Sequence, residues 1–231
     1  MRLRKRARAL NANGLGGRFS SDIALPQTVI RRRILESDSY YNALNVPFSL
    51  RQQIPANLVI TDRSGFTINL ETTPARHRWI YASEGILVHA NHYEEDVPDQ
   101  ISADYRPFSV DSLFRSPILR GRLRSAAHAM RGPEPSVLMD CLGDHFGYPY
   151  GVCRHPDSRD PEHLQSKTIA SAVVDLTSGR YFLAPGNPCD TAYELLPWNL
   201  YDDGPRPGGN GTAEPTTMLT SSCVGTNPNR P

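Results

Sequence analysis

The chain has 231 residues, 39% of them hydrophobic, and a formal net charge of +1. A near-neutral balance argues against a general nucleic-acid binder. No run of eighteen apolar residues is present to span a bilayer, and the charged N-terminus lacks the apolar stretch of a secretory signal.

The opening MRLRKRAR carries Arg2, Arg4, Lys5, Arg6 and Arg8. Such a cluster can be a nuclear address or a polyanion patch. Here residues 1–8 are read as a non-native start, because ALNANGLGG already reads as a strand end followed by a glycine turn. Leu25 to Leu44 has helical periodicity. Pro26 suits the first turn, and Val29, Ile30, Ile34 and Leu35 recur at helical spacing. Arg31, Arg32, Arg33 and Glu36 then fall on a solvated face rather than a nucleic-acid surface.

NLVITD (57–62) and FTINLET (66–72) flank Arg63-Ser64-Gly65, a hairpin signal. RWIYASE (78–84) and GILVHANH (85–92) read as further strands. Ser109 to Met130 reads as a helix, or a helix pair broken at Pro117, with Ser109 as its cap. Ser136 to His145 is a second short helical run. SKTIASAVVDL (166–176) and RYFLAPG (180–186) form another hairpin across Thr177-Ser178-Gly179. Beyond Asp202 the chain is dense in Gly, Pro, Thr and Asn without periodicity. Residues 203–231 are therefore expected to be a disordered tail, in which the sequon Asn210-Gly211-Thr212 carries little weight. Hairpins with intervening helices make an α+β chain with antiparallel sheets.

Cys141, Cys153, Cys189 and Cys223 are widely spaced, with no CxxC. That spacing argues against a zinc knuckle and against a disulfide framework. Free thiols in a reducing cytosol are expected, hence a cytoplasmic protein.

The stretch GILVHANHYEEDVP places His89, Asn91 and His92 at the end of an apolar run and follows them with three acids. On a strand, His89 and Asn91 share one face and His92 takes the other. A zinc pair built from His89 and His92 is disfavoured by that geometry, and no metal is expected. Asn91 has two readings. Its amide can donate to a substrate carbonyl, a contribution of about 3–4 kcal/mol to a transition state, or it can tie down the loop backbone. In YPYGVCRHPD, Arg154 beside Cys153 can bind a carboxylate or lower the thiol pKa. It can equally be a surface arginine beside a buried cysteine.

Taken together, LNANGL, LPQTVIRRRILES, LVITDRSGFTINLETTP, GILVHANHY, YGVCRHPD and TIASAVVDLTSGRYFLAPGNPCDTAY resemble the acyl-CoA:6-aminopenicillanic acid (isopenicillin N) acyltransferase family, peptidase family C45. The resemblance runs from Ala9 to Trp198. It implies an N-terminal nucleophile hydrolase with an αββα sandwich, of which residues 9–202 would form an incomplete domain. It implies Asn91 as the oxyanion-hole amide and Arg154 as the charged residue of the acyl site. Asn11, Asn13, His89 and His92 become substrate-pocket candidates, with Glu94, Glu95 and Asp96 in a solvated loop. The implied substrates are an acyl donor, acyl-CoA included, and an N-acyl amide or β-lactam-type amine, with no cofactor, nucleic acid or membrane partner.

Members of the family cut themselves at a Gly–Cys bond, and the freed cysteine is the nucleophile with its own α-amine as base. Here the four cysteines follow Asp140, Val152, Pro188 and Ser222. The nucleophile is therefore expected outside this chain, supplied by a missing N-terminal segment or another chain, with an apolar sheet face left open in its absence. A non-catalytic remnant that keeps the pocket is the alternative.

Overall fold

The computed structural model describes residues 8–17, 23–129 and 134–202. Most of the basic start and all of the Gly/Pro-rich tail, with its sequon, lie outside these residues. The chain divides into two compact units, Met1–Gly121 with Leu176–Ser178, and Arg122–Asp175 with Gly179–Pro231. No described helix is long and apolar enough to cross a membrane.

The first unit is built on an antiparallel sheet in the order β1-β2-β3-β4, with β1 at Arg8–Gly14, β2 at Ala56–Asp62, β3 at Thr67–Thr72 and β4 at His77–Tyr81. The β2–β3 connection is the hairpin that Arg63-Ser64-Gly65 signals. The Gly65 N–H donates to the Asp62 carbonyl at 2.9 Å, the Ser64 N–H donates to the Asp62 carboxylate at 3.0 Å, and Gly65 takes the left-handed φ of 90° that the turn needs.

Alternation along these strands gives the sheet two unlike faces. Leu10, Ala12, Leu58, Ile60, Ile68 and Leu70 share the apolar face. They pack with Ile30, Ile34 and Ala43 from helices α1 (Gln27–Glu36) and α2 (Tyr40–Ser49). The apolar face of this sheet is thus covered by helices of the chain itself. The opposite face presents Asn57, Asn69 and Glu71, all at 0% exposure.

The single helix expected over 25–44 is two. Its break lies at Ser37–Ser39, where the Ser39 side chain accepts the Asn42 N–H at 3.0 Å and caps α2. Only Ile30 and Ile34 of α1 are fully buried, and Val29 and Leu35 stay exposed, so the buried stripe is one residue row wide. Arg32 and Glu36 form an exposed i,i+4 ion pair at 2.7 Å, as suits a solvated face.

GILVHANH is not a strand. Beyond a single bridge between Ser83 and Ile86, residues 87–92 carry no ladder. Side-chain bonds replace the ladder, as described below. Helix α3 (Ser112–Ala129) runs unbroken through Pro117, and the boundary between the two units falls inside it after Gly121. Pro117 is the sixth residue of the helix, where it removes one backbone hydrogen bond from the ladder, and the helix continues past it to Ala129.

The second unit holds helix α4 (Pro135–Leu142) and a three-stranded antiparallel sheet in the order β5-β6-β7, with β5 at Ser171–Asp175, β6 at Arg180–Ala184 and β7 at Glu194–Leu195. The β5–β6 hairpin closes with the Gly179 N–H donating to the Asp175 carbonyl at 2.8 Å. Gly179 has φ 79°, and a Cβ there would meet Asn199 and Tyr201. The short β7 has no clear sequence signal.

Truncating Ile60 to Ala should destabilise the protein by about 2–5 kcal/mol in urea unfolding, because a wholly buried branched side chain leaves a cavity. Arg32→Ala should change it by less than about 0.5 kcal/mol. Equal effects would contradict this assignment of the core.

Candidate functional site

The polar face of the first sheet is the floor of the candidate site. Glu71 is its centre. Its Oε1 lies 2.8 Å from His89 Nε2 and accepts the Glu94 N–H at 2.6 Å. The side chains of His89 and Glu71 are 1% and 0% exposed. The other ring nitrogen of His89, Nδ1, faces the Ala90 carbonyl at 2.9 Å. Beside them Asn57 Nδ2 donates to Asn69 Oδ1, and Asn57 Oδ1 accepts the Asn13 N–H at 3.1 Å. Asn13 Nδ2 then donates to the His89 carbonyl at 3.2 Å. Residues 87–92 are therefore held to the sheet through side chains.

The N-terminal turns of α3 hold the other side of this segment. Ser112, wholly buried, accepts the Asn91 N–H at 2.6 Å and lies 2.8 Å from His92 Nδ1. Arg115 donates from Nη2 to Asn91 Oδ1 at 2.8 Å, while its Nε lies 2.7 Å from Asp111. Asn91 Nδ2 donates to the Gly14 carbonyl at 3.3 Å. The amide thus has its oxygen engaged by a guanidinium and its nitrogen turned toward the end of β1. Arg120 bridges the Val88 carbonyl at 3.2 Å and the Glu94 carboxylate at 2.8 Å. The His92 pKa is lowered below its ordinary value, chiefly by burial and partly offset by Glu94.

Three expectations change here. Glu94 is not part of a solvated loop: its side chain is 15% exposed and paired with Arg120, because the buried Glu71 captures its N–H. Glu95 and Asp96 are exposed, as read. His89 and Asn91 are placed by separate partners rather than by the alternation of a strand. Asn11 is exposed on β1, and none of the hydrogen bonds described here involves its side chain. Asn13 lies within the polar network.

In the second unit, Arg154 sits over the Tyr150 ring, 4.8 Å from its centroid. Its N–H donates to Thr168 Oγ1 at 3.0 Å, and its carbonyl accepts Asn187 Nδ2 at 2.8 Å. The Tyr150 hydroxyl faces Asp157 at 2.8 Å and Asp160 at 2.9 Å, which pushes its pKa up to about 12. Arg159 clasps Asp157 and holds that carboxyl well below the ordinary range.

Around Arg154 the fold gathers a group that spacing alone did not reveal. His145, Cys153, His155 and Cys189 bring one donor atom each to within 4.8 Å of one another. His155 Nε2 lies 3.0 Å from His145 Nε2, 3.6 Å from Cys153 Sγ and 3.4 Å from Cys189 Sγ. Burial pushes the Cys189 thiol up to about 12, reinforced by Cys153, and lowers His155. Cys-x-His at 153–155 was visible in the sequence, but Cys189 lies 34 positions further on and gives no local signal.

The family model described as acyl-coenzyme A:6-aminopenicillanic acid acyl-transferase matches residues 9–190. No curated protein matches the chain.

Glu71→Ala should cost about 3–5 kcal/mol in chemical unfolding, since it strands a buried imidazole. A cost below about 1 kcal/mol would contradict the role given to this pair. His77 and His92 both have lowered folded pKa values, each chiefly through burial. Between the ordinary histidine value of 6.5 and those lowered values the unfolded chain binds more protons, so stability must fall as pH drops below about 6.5 and level off once both forms are protonated. The thermal midpoint should be lower at about pH 5 than at about pH 7.5, and His92→Gln should remove part of the difference.

Proposed function

The chain belongs to the acyl-coenzyme A:6-aminopenicillanic acid acyl-transferase family, and we propose that it works on the acyl–nitrogen bond of N-acyl amides or β-lactam-type amines, as transferase or hydrolase. Asn91 is the oxyanion donor in this reading, and Arg154 is the charge that meets an acyl or carboxylate group. The observation that carries the first assignment is the fixing of the Asn91 amide. Arg115 holds Oδ1, Ser112 holds the backbone N–H, and one of the two Nδ2 hydrogens is engaged on Gly14 at 3.3 Å. The other hydrogen is the donor offered to a developing oxyanion. A preorganised amide of this kind needs no reorganisation as charge appears.

The scaffold proposed around these residues is the αββα sandwich of the N-terminal nucleophile hydrolases, whose cysteine uses its own α-amine as base. Cys141, Cys153 and Cys189 follow Asp140, Val152 and Pro188 and carry no free α-amine. Cys153 is moreover wholly buried. Cys223, which follows Ser222, lacks a free α-amine as well, so the thiol is assigned outside this chain, which alone turns over no substrate. Acyl-CoA is a fitting acyl donor, and no cofactor is needed for the step. The burial of Cys153 also favours a second reading, a binding module that keeps the pocket without the nucleophile.

Purified chain incubated with an acyl-CoA and 6-aminopenicillanic acid should give no acyl transfer and no acylated cysteine by mass spectrometry. It should still bind an N-acyl amide in calorimetry, with Asn91→Ala weakening the Kd by about 2–10-fold, the worth of one hydrogen bond. Turnover abolished by Cys153→Ala would overturn the nucleophile assignment. Binding unchanged by Asn91→Ala would remove the role of that amide.

A further inference from the structure

We propose that His145, Cys153, His155 and Cys189 form a structural zinc site, with the two thiolates and two imidazoles as a closed set of four ligands. One nitrogen of this group has more close neighbours than it can bond. His155 Nε2 is in contact with His145 Nε2 at 3.0 Å, Cys153 Sγ at 3.6 Å and Cys189 Sγ at 3.4 Å. A neutral ring nitrogen offers either one hydrogen or one lone pair. It cannot serve three neighbours, two of which bring lone pairs of their own. A cation placed among the four atoms removes the conflict, because each then directs a lone pair at the same point.

The spacing agrees with a particular coordination geometry. For zinc, bonds are about 2.3 Å to sulfur and about 2.0–2.1 Å to nitrogen, so tetrahedral edges are about 3.3–3.4 Å between nitrogens and about 3.5–3.6 Å between nitrogen and sulfur. The three contacts of His155 Nε2, at 3.0, 3.4 and 3.6 Å, lie close to those edges, and the other donor pairs, up to 4.8 Å apart, would close toward edges of at most about 3.8 Å around the ion. Two sulfurs and two nitrogens select zinc over hard cations such as magnesium or calcium. Two thiolates also cancel the charge of a divalent ion, which suits a group ranging from the wholly buried Cys153 to the exposed His145. The exposed histidine gives the ion an entry path.

The backbone is built to hold this arrangement. The Cys153 N–H donates to the Asp144 carbonyl at 2.9 Å, which sets residue 153 beside residue 145. Gly151 makes that approach possible: a Cβ there would lie 2.9 Å from the Asp144 carbonyl and 3.1 Å from His145 Cα. The His155 N–H donates to the Pro149 carbonyl at 2.8 Å, turning the chain back on itself. Asn187 donates from Nδ2 to both the Arg154 carbonyl at 2.8 Å and Cys153 Sγ at 3.3 Å, and so brings the turn that carries Cys189 to the same point. An N–H directed at a sulfur ligand is the outer-shell support that metal thiolates use. The ion would staple two loops that lack regular secondary structure, and it would hold Arg154 between two of its ligands.

The test uses the full chain, stripped of metal under reducing conditions and titrated with Co(II) and then Zn(II). Binding of one Co(II) per chain, with the visible bands of a tetrahedral site and thiolate charge-transfer absorption, and its displacement by zinc, is the expected result. Outer-shell partners are worth about 10–100-fold in affinity, so Asn187→Ala should fall in that range, and His145→Ala or Cys189→Ser should exceed about 100-fold. His145 is exposed, so its loss should leave circular dichroism unchanged while weakening the metal. Cys141→Ser should bind as the parent does. Absence of a thiolate–Co(II) band in a natively folded protein would overturn the proposal. So would retention of that band in the Cys153→Ser/Cys189→Ser double variant.

Discussion

A carboxylate with no access to water sits at the centre of the first unit. Glu71 projects from β3 into the polar side of the sheet, and the segment that carries Asn91 is fastened to it on both sides, at His89 and at Glu94. An isolated buried charge is very costly, so it must be matched by donors of good geometry. His89 Nε2 and the Glu94 N–H both meet Glu71 Oε1, while Oε2 is sealed with no hydrogen-bond partner among the described residues. Because His89 and Glu94 bracket Asn91 in sequence, their two contacts with Oε1 also fix the loop that carries the amide. The Ser112 hydroxyl and the Arg115 guanidinium of α3 complete the clamp from the opposite side.

The two faces of the sheet are unlike: one packs against helices, and the other holds the segment that carries Asn91. Leu58, Ile60, Ile68 and Leu70 give the hydrophobic contact with α1 and α2. Asn57, Asn69 and Glu71, the intervening residues, give a dry polar surface. Family membership fits this plan, since acyl transfer needs oriented amide donors away from bulk water.

How far the sequence disclosed this structure depended on whether the signal was local. The β2–β3 hairpin was legible because Asp62, Ser64 and Gly65 carry the turn chemistry themselves. The β5–β6 hairpin was legible for the same reason at Gly179. The break between α1 and α2 was not, because Ser37, Asp38 and Ser39 look the same on a solvated helix face as at a cap. Residues 85–92 looked like a strand because they are apolar and extended, but a strand needs a neighbour, and none of the sheet edges supplies one to residues 87–92. Asn91 and Arg154 were singled out by the motifs around them. Their partners Ser112, Arg115, Glu71 and Asn187 are distant in sequence and polar for reasons that only the fold reveals. The His145, Cys153, His155 and Cys189 group was hidden in the same way.

The amide contact between Asn57 and Asn69 has an evolutionary corollary. Both side chains are sealed from solvent, and Asn57 Nδ2 donates to Asn69 Oδ1. Replacing either one strands its mate, whereas replacing both with apolar residues of matching shape can be nearly neutral. Drift across this pair should therefore proceed by coupled exchange, with the single intermediates forming a valley. The two positions ought to covary among descendants of this chain, even though neither is expected to touch a reactant.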